Sequence, residues 1–149
     1  MSLPTVNCIA VFGETIATMV IGAIWYSPDV FGKKWMKLVM KGEMKKGGGK
    51  AAMAAMKEEM QQAAMKGYVL SFITSLITAY VLAIFVDYAQ AVTFGEGVQI
   101  GFWAWLGFVA TIGLGGYIWE KAPIDLYLLK SGFNLVSFVV MGGILAVWV

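Results

Sequence analysis

Residues 4–27 read PTVNCIAVFGETIATMVIGAIWYS, with Glu14 the one charged side chain among them. A helix needs ~17–25 mostly apolar residues to cross ~30 Å of hydrocarbon, and this run meets that requirement. Lipid offers no water to the backbone, so a continuous apolar run favours a helix, which satisfies its own amides and carbonyls. Three further runs follow the same logic, at 68–86, 98–119 and 126–149. None alternates polar with apolar residues as a transmembrane barrel strand does. The links Asp87–Gly97 and Glu120–Pro123 are short, which sets neighbouring spans antiparallel. The expected fold is all-α: four transmembrane helices in an up-down bundle, a single integral membrane domain over 1–149. Residues 28–67 form the one sizeable connection.

Composition agrees. The 149 residues are 60% apolar and 13% charged, against about 45–50% and 25% in ordinary soluble chains. Mean hydropathy is +0.76. A soluble globule of this size could not hide so much apolar surface. An aromatic content of 14% excludes a disordered chain, and the lone Cys8 excludes a disulfide scaffold. There is no His, which removes His-ligated zinc or haem and Ser-His-Asp or Cys-His catalysis within the chain. All eleven basic residues are Lys, so bidentate Arg clamps on phosphate or carboxylate are missing as well. No catalytic residue, metal site or cofactor is expected.

The lysines orient the chain. Nine of the eleven fall between Lys33 and Lys66, and Lys121 falls between spans three and four. The link between spans two and three carries Asp87 and Glu96 and no Lys. The positive-inside rule places the first and third connections in the cytoplasm and both termini outside, in a prokaryotic cytoplasmic (inner) membrane. Trp25, Tyr26, Tyr68, Tyr117 and Trp119 supply an aromatic belt on the cytoplasmic side, Tyr88 and Trp148 one on the other. A cleaved signal peptide is not expected at the first run. No Lys or Arg precedes it, and Trp25, Tyr26 and Pro28 stand where small residues would be needed.

Residues 28–67 divide at Gly47–Gly49, a hinge by composition. Before it, Phe31, Trp35, Leu38 and Val39 recur at helical spacing, with Lys33, Lys34, Lys37 and Lys41 on other faces. This pattern predicts an interfacial amphipathic helix, its lysines near anionic headgroups. Pro28 disfavours helix at Ser27 and so implies a bend there. After the glycines, Lys50–Lys66 is rich in good helix formers. It reads as a second cytoplasmic helix, packed on the end of the bundle or on a neighbouring subunit. Met53, Met56 and Met60 form a stripe on it, read as adaptable packing surface in preference to a Cu(I) site.

Glu14 needs a reason. It lies about 20 Å along the helix from Ser27, near mid-membrane, where an ionisable group costs ~2.5–3.5 kcal/mol or more to insert. It is expected to face the bundle interior, with Asn7, Thr18 and Gly22 on or near the same face. In span four, Lys130, Asn134 and Ser137 share a stripe. Asn134, about 15 Å from Ile124 by helical rise, is the best depth match to Glu14, and Lys130 lies about 9 Å deep. Span two adds Ser71, Thr74, Ser75 and Thr78. Gly107, Thr111 and Gly115 of span three form a small-residue ladder suited to close helix packing. Two readings of Glu14 stay open: a titrating group in a transport path, or a neutral acid that hydrogen-bonds Asn134 or a hydroxyl and fixes helix register.

The stretch Gly22-Ala-Ile-Trp25-Tyr26-Ser27-Pro28-Asp-Val-Phe31-Gly32-Lys33-Lys-Trp35-Met36 resembles the signature of a small bacterial membrane family, domain-of-unknown-function family 1761. The start around Asn7, Tyr68–Phe72, Trp105–Thr111 and Met141–Leu145 are similar to it too, so the resemblance spans nearly the whole chain. It implies four transmembrane helices and no established activity, and it carries over no catalytic residue. Glu14 departs from the usual apolar residue in span one, and Lys41–Lys66 is expanded. A second resemblance is to the small multidrug-resistance transporters, which are also short and four-helical, with an essential glutamate in the first helix. Those proteins lack a long cytoplasmic connection and so strong a lysine asymmetry.

The leading functional expectation is a non-enzymatic polytopic membrane protein, a homo-oligomer or an accessory subunit of a larger membrane complex, with membrane lipids and other subunits as partners. In that reading Trp25–Trp35 sets the bend after span one. The alternative is a small proton-coupled transporter or channel using Glu14. An enzyme acting on lipid headgroups through Asp29 and Glu43 ranks third, for want of paired spacing or a nucleophile. Nucleic acid is not an expected partner, since the lysines lie at a membrane surface without Arg or stacking aromatics.

Overall fold

The structure, a computed structural model, describes residues 6–45 and 49–148, and the side chains of all these except 42–45 and 53. Gly47, Gly48 and the Met53 and Glu43 side chains, on which parts of the expected hinge, methionine stripe and enzyme reading fall, lie outside the described residues. Among the described residues the chain is helices joined by turns: α1 (Cys8–Trp25), α2 (Gly32–Lys45), α3 (Lys50–Tyr88), α4 (Phe94–Ile118) and α5 (Ile124–Trp148). Of these, α1, α3, α4 and α5 are long and apolar enough to cross a membrane. Large apolar side chains cover their outer faces, including Ile9, Phe12, Ile16 and Val20 on α1 and Trp103, Phe108 and Ile112 on α4. An apolar exterior this extensive suits lipid rather than water.

The second helix expected in the connection is not separate. Lys50–Lys66 runs into span two without a break, giving a helix of 39 residues, roughly 58 Å long at 1.5 Å per residue. Its Ala, Met, Glu, Lys and Gln residues favour helix throughout, and Gly67 alone is too small a penalty to interrupt it. Almost all of its N-terminal half is exposed, with Met56 and Met60 half-buried. The link between spans two and three is also shorter than the apolar pattern predicts. Asp87 and Tyr88 stay in α3, which ends where Gln90 takes a positive φ of 55°. The Gln90 and Ala91 amides then donate back to the Asp87 and Val86 carbonyls at 2.9 and 3.2 Å, a standard helix stop. Thr93 starts α4: its Oγ1 accepts from the Glu96 amide at 3.3 Å, and the Glu96 carboxylate accepts from the Thr93 amide at 3.0 Å. This Thr-x-x-Glu capping box is visible in the sequence and brings the helix start forward to Phe94.

The most extensive helix packing is that of α4 on α5. A Cβ added to Gly97 would strike the Gly142 carbonyl oxygen, one on Gly101 the Phe138 carbonyl oxygen, and one on Gly142 the Gly97 carbonyl oxygen. The expected ladder does not make this contact. Thr111 is exposed, and a Cβ on Gly107 or Gly115 would meet nothing within 4 Å. The cause is a π-helical segment of 6 residues, Trp105–Ala110, inside α4. In an uninterrupted α-helix, Gly97, Gly101, Ala104, Thr111 and Gly115 would share a face. A π turn accommodates an extra residue, which turns everything after it by about 100°. Gly113 is thereby brought toward α5, its Cβ position 3.3 Å from the Tyr127 ring. Two hydrogen bonds pin the segment to α5: Trp105 Nε1 donates to the Ser131 carbonyl at 3.0 Å, and the Tyr127 hydroxyl donates to the Ala110 carbonyl at 2.8 Å.

α1 lies along α5 in a register set by contacts at both ends. Asn7 caps α1, accepting from the Ile9 and Ala10 amides, and its Nδ2 donates to the Trp148 carbonyl at 3.2 Å. Farther along, Gly22 faces the Phe133 ring and Trp25 faces Gly132. The apolar core between the helices is built from Ala10 and Val11 of α1, Leu82 and Val86 of α3, Ala104 of α4, and Met141 and Leu145 of α5.

Candidate functional site

Glu14 is carried on the inner stripe of α1 with Ala10, Val11, Thr15 and Thr18, a set that recurs every three to four residues as one helix face requires. Its side chain is fully buried at 0% exposure, and neither carboxyl oxygen has a hydrogen-bond partner among the described residues. The bond expected from Asn134 is absent, and the α1–α5 register explains why. With Asn7 at Trp148 and Gly22 at Phe133, Glu14 is level with Met141 and Thr18 with Ser137. Asn134 is seven residues from Met141, roughly 10 Å along α5. Depth counted separately from the two span ends does not capture this offset.

The other polar residues converge just below Glu14. A cavity of about 360 Å³ opens between α1, α3 and α5. Thr18 of α1, Ser71, Thr74, Ser75 and Thr78 of α3, and Asn134 and Ser137 of α5 bring hydroxyls and an amide to it. Tyr26 and Tyr68 stand at the end nearest residues 28–67, while Thr18 and Met141 mark the inner end. Glu14 is one helical turn beyond Thr18. Several hydroxyls bond to their own helices: Thr74 to the Ser71 carbonyl at 3.0 Å, Thr78 to Thr74 at 2.9 Å, and Ser137 to Phe133 at 3.0 Å. Each keeps oxygen lone pairs for a guest. The Thr18 hydroxyl, 5% exposed, has no partner among the described residues. The cavity therefore offers neutral hydrogen-bonding groups to a small polar molecule or to water; Glu14 does not line it and is buried one helical turn beyond its Thr18 end.

Lys130 stands apart from this arrangement. It is exposed and lines a second cavity of about 230 Å³ with Glu120, Tyr117, Tyr127 and Ser131. Asn134 borders both cavities and forms part of the wall between them.

The Trp25–Trp35 element is a tight turn that folds α2 back toward the bundle. The Ser27 carbonyl accepts from the Val30 and Gly32 amides at 3.2 and 2.8 Å, and the Trp25 carbonyl accepts from Phe31 at 3.1 Å. Pro28, which has no amide hydrogen to place, sits inside that turn. Gly32 is required by close approach: a Cβ there would strike the Tyr26 carbonyl oxygen and come within 2.7 Å of the Ser27 carbonyl oxygen. Aromatic rings complete the joint. Trp25 packs on Phe31 and Phe133, and Tyr26 packs edge-on against Trp35 and Phe133. Leu38 of α2 is buried at 9% exposure, and Lys33 points to the exterior. Tyr26 belongs to this joint and to the cavity wall at once, a double role that spacing alone does not reveal.

The family model described as "Protein of unknown function (DUF1761)" matches residues 9–146. No curated protein and no solved structure matches the chain.

Proposed function

The chain belongs to the DUF1761 family, whose description assigns no activity, and from the site's own geometry we propose that it is a small proton-coupled carrier or channel in which Glu14 is the proton-binding group. One observation carries this reading: a fully buried carboxyl group, its oxygens unpaired among the described residues, lies one helical turn beyond the end of a hydroxyl- and amide-lined cavity. Ionisable side chains inside a membrane mark ion or proton pathways more often than they serve packing. In this reading the packing between Thr18 and Glu14 opens by one helical turn to let the carboxyl group exchange a proton with a guest, and the hydroxyls of α3 with Asn134 would replace the guest's hydration. The Tyr26 and Tyr68 end of the cavity is the one nearest the lysine-rich connection, and by the positive-inside rule that side is taken as cytoplasmic, with both termini outside. The assay is proton flux into liposomes loaded with a pH-sensitive dye under an imposed potential. The native protein should carry flux well above empty vesicles, and Glu14→Gln should reduce it to the empty-vesicle level. Equal flux through native protein and Glu14→Gln would remove Glu14 from any mechanism.

A second reading, a non-enzymatic homo-oligomer or accessory subunit in an up-down bundle, is favoured by the N-terminal half of α3. That half extends with its alanines and Met65 exposed and Met56 and Met60 half-buried, and a helix with so little cover among the described residues is suited to another chain. Light scattering in mild detergent should then give a mass of at least two chains. A strictly monomeric protein that copurifies with nothing would end this reading.

A further inference from the structure

A groove of about 820 Å³ lies between the Tyr26–Pro28 turn and α2, within the ~300–1,000 Å³ usual for ligand sites. Its floor is apolar, made by Tyr26, Pro28, Trp35, Met36 and Met40. Its rim carries Lys33, Lys37 and Lys41, all exposed. These lysines are spaced by four, so they follow one edge of the helix over roughly 12 Å. Among the described residues lining the groove there is no carboxylate to neutralise them. The groove sits directly after the end of α1, where the chain leaves the apolar span and Trp and Tyr side chains gather. That is the depth of phosphate headgroups.

We propose that this groove binds one anionic phospholipid, with its phosphodiester on Lys33, Lys37 and Lys41 and the start of an acyl chain against Met36, Met40 and Trp35. Each half of the groove matches one half of such a molecule. Three ammonium groups attract a phosphate with a net negative charge, and a zwitterionic headgroup brings its own cation to repel them. The methionines supply a flexible apolar wall that adapts to an alkyl chain, and Trp35 offers an indole suited to the interface. Free phosphate would use the rim and leave the floor empty, so the apolar floor selects the lipid. This site shares only Tyr26 with the cavity below Glu14, and its occupancy does not depend on the transport reading.

Trp35 is a built-in reporter. The full-length protein is placed in phosphatidylcholine nanodiscs containing brominated phosphatidylglycerol or, at equal mole fraction, brominated phosphatidylcholine. Fluorescence quenching is read as the difference between native protein and Trp35→Phe, which isolates the Trp35 contribution. Brominated phosphatidylglycerol should quench Trp35 several-fold more strongly than brominated phosphatidylcholine. The triple variant Lys33→Gln, Lys37→Gln, Lys41→Gln should lose the preference with unchanged helical circular dichroism. Lys34→Gln, on another face of α2 and outside the groove, should keep it. Native mass spectrometry should retain one phosphatidylglycerol per chain on the native protein and none on the triple variant, which covers the case of an unstable Trp35→Phe. Four results would overturn the proposal: equal quenching by the two lipids, a preference surviving in the triple variant, its loss in Lys34→Gln, or its abolition by inorganic phosphate.

Discussion

Gly101→Val should abolish stable assembly of the α4–α5 pair. The missing Cβ of Gly101 points at the Phe138 carbonyl oxygen, and that of Gly97 at the Gly142 carbonyl oxygen. Backbone oxygens cannot rotate aside as the end of a side chain can, so the two helices must part. Ordinary overpacking costs about 1–3 kcal/mol. Separating this crossing adds the lost packing of Ala104, Met141 and Ala146, which are buried in the core, so the total should reach a large share of the ~5–15 kcal/mol that holds a typical domain. Gly101→Val and Gly97→Val are therefore expected to fail as monodisperse species in size-exclusion chromatography. Gly107→Val and Gly115→Val are the matched controls, since an added Cβ there meets nothing within 4 Å. These two should purify like the native protein. The opposite ranking would mean that the π segment does not turn the second half of α4.

Gly32→Ala should release α2 from the bundle while leaving the four apolar helices intact. The added methyl collides with the Tyr26 carbonyl oxygen and crowds that of Ser27, and both oxygens belong to the turn that reverses the chain. Opening the turn separates Tyr26 from Trp35, whose rings are 5.6 Å apart centre to centre, and uncovers Leu38. A loss of ~2 kcal/mol shifts a local equilibrium by a factor of about 30. Trypsin should then cleave at Lys33, Lys37 or Lys41 at least about 10-fold faster than in the native protein, the rate following the open population. Helical circular dichroism should fall only slightly. Unchanged cleavage would show that α2 does not depend on this turn.

These variants separate two kinds of information. The Thr93–Glu96 capping box and the bend at Pro28 are local chemistry, legible from neighbouring residues. The continuity of α3 follows as locally, because nothing between Lys50 and Gly67 breaks a helix once propensity is weighed ahead of the change in hydropathy. The polar residues of the site were recognisable as well. Thr18, Asn134 and Ser137 do share a cavity with the hydroxyls of α3. Their relation to Glu14 was not, because depth on one helix says nothing about how far a neighbour slides along it.

By itself, then, the sequence determined four apolar helices, a lysine-rich connection and one acid among apolar residues, since length, hydropathy and charge are properties of each segment alone. Only the tertiary structure decided which glycines touch and what surrounds Glu14. One additional residue in the π segment turns the second half of α4, and the register of α1 on α5 sets Glu14 level with Met141 instead of Asn134. Both are relations between helices, and helix packing is fixed by side chains that meet across space, not along the chain.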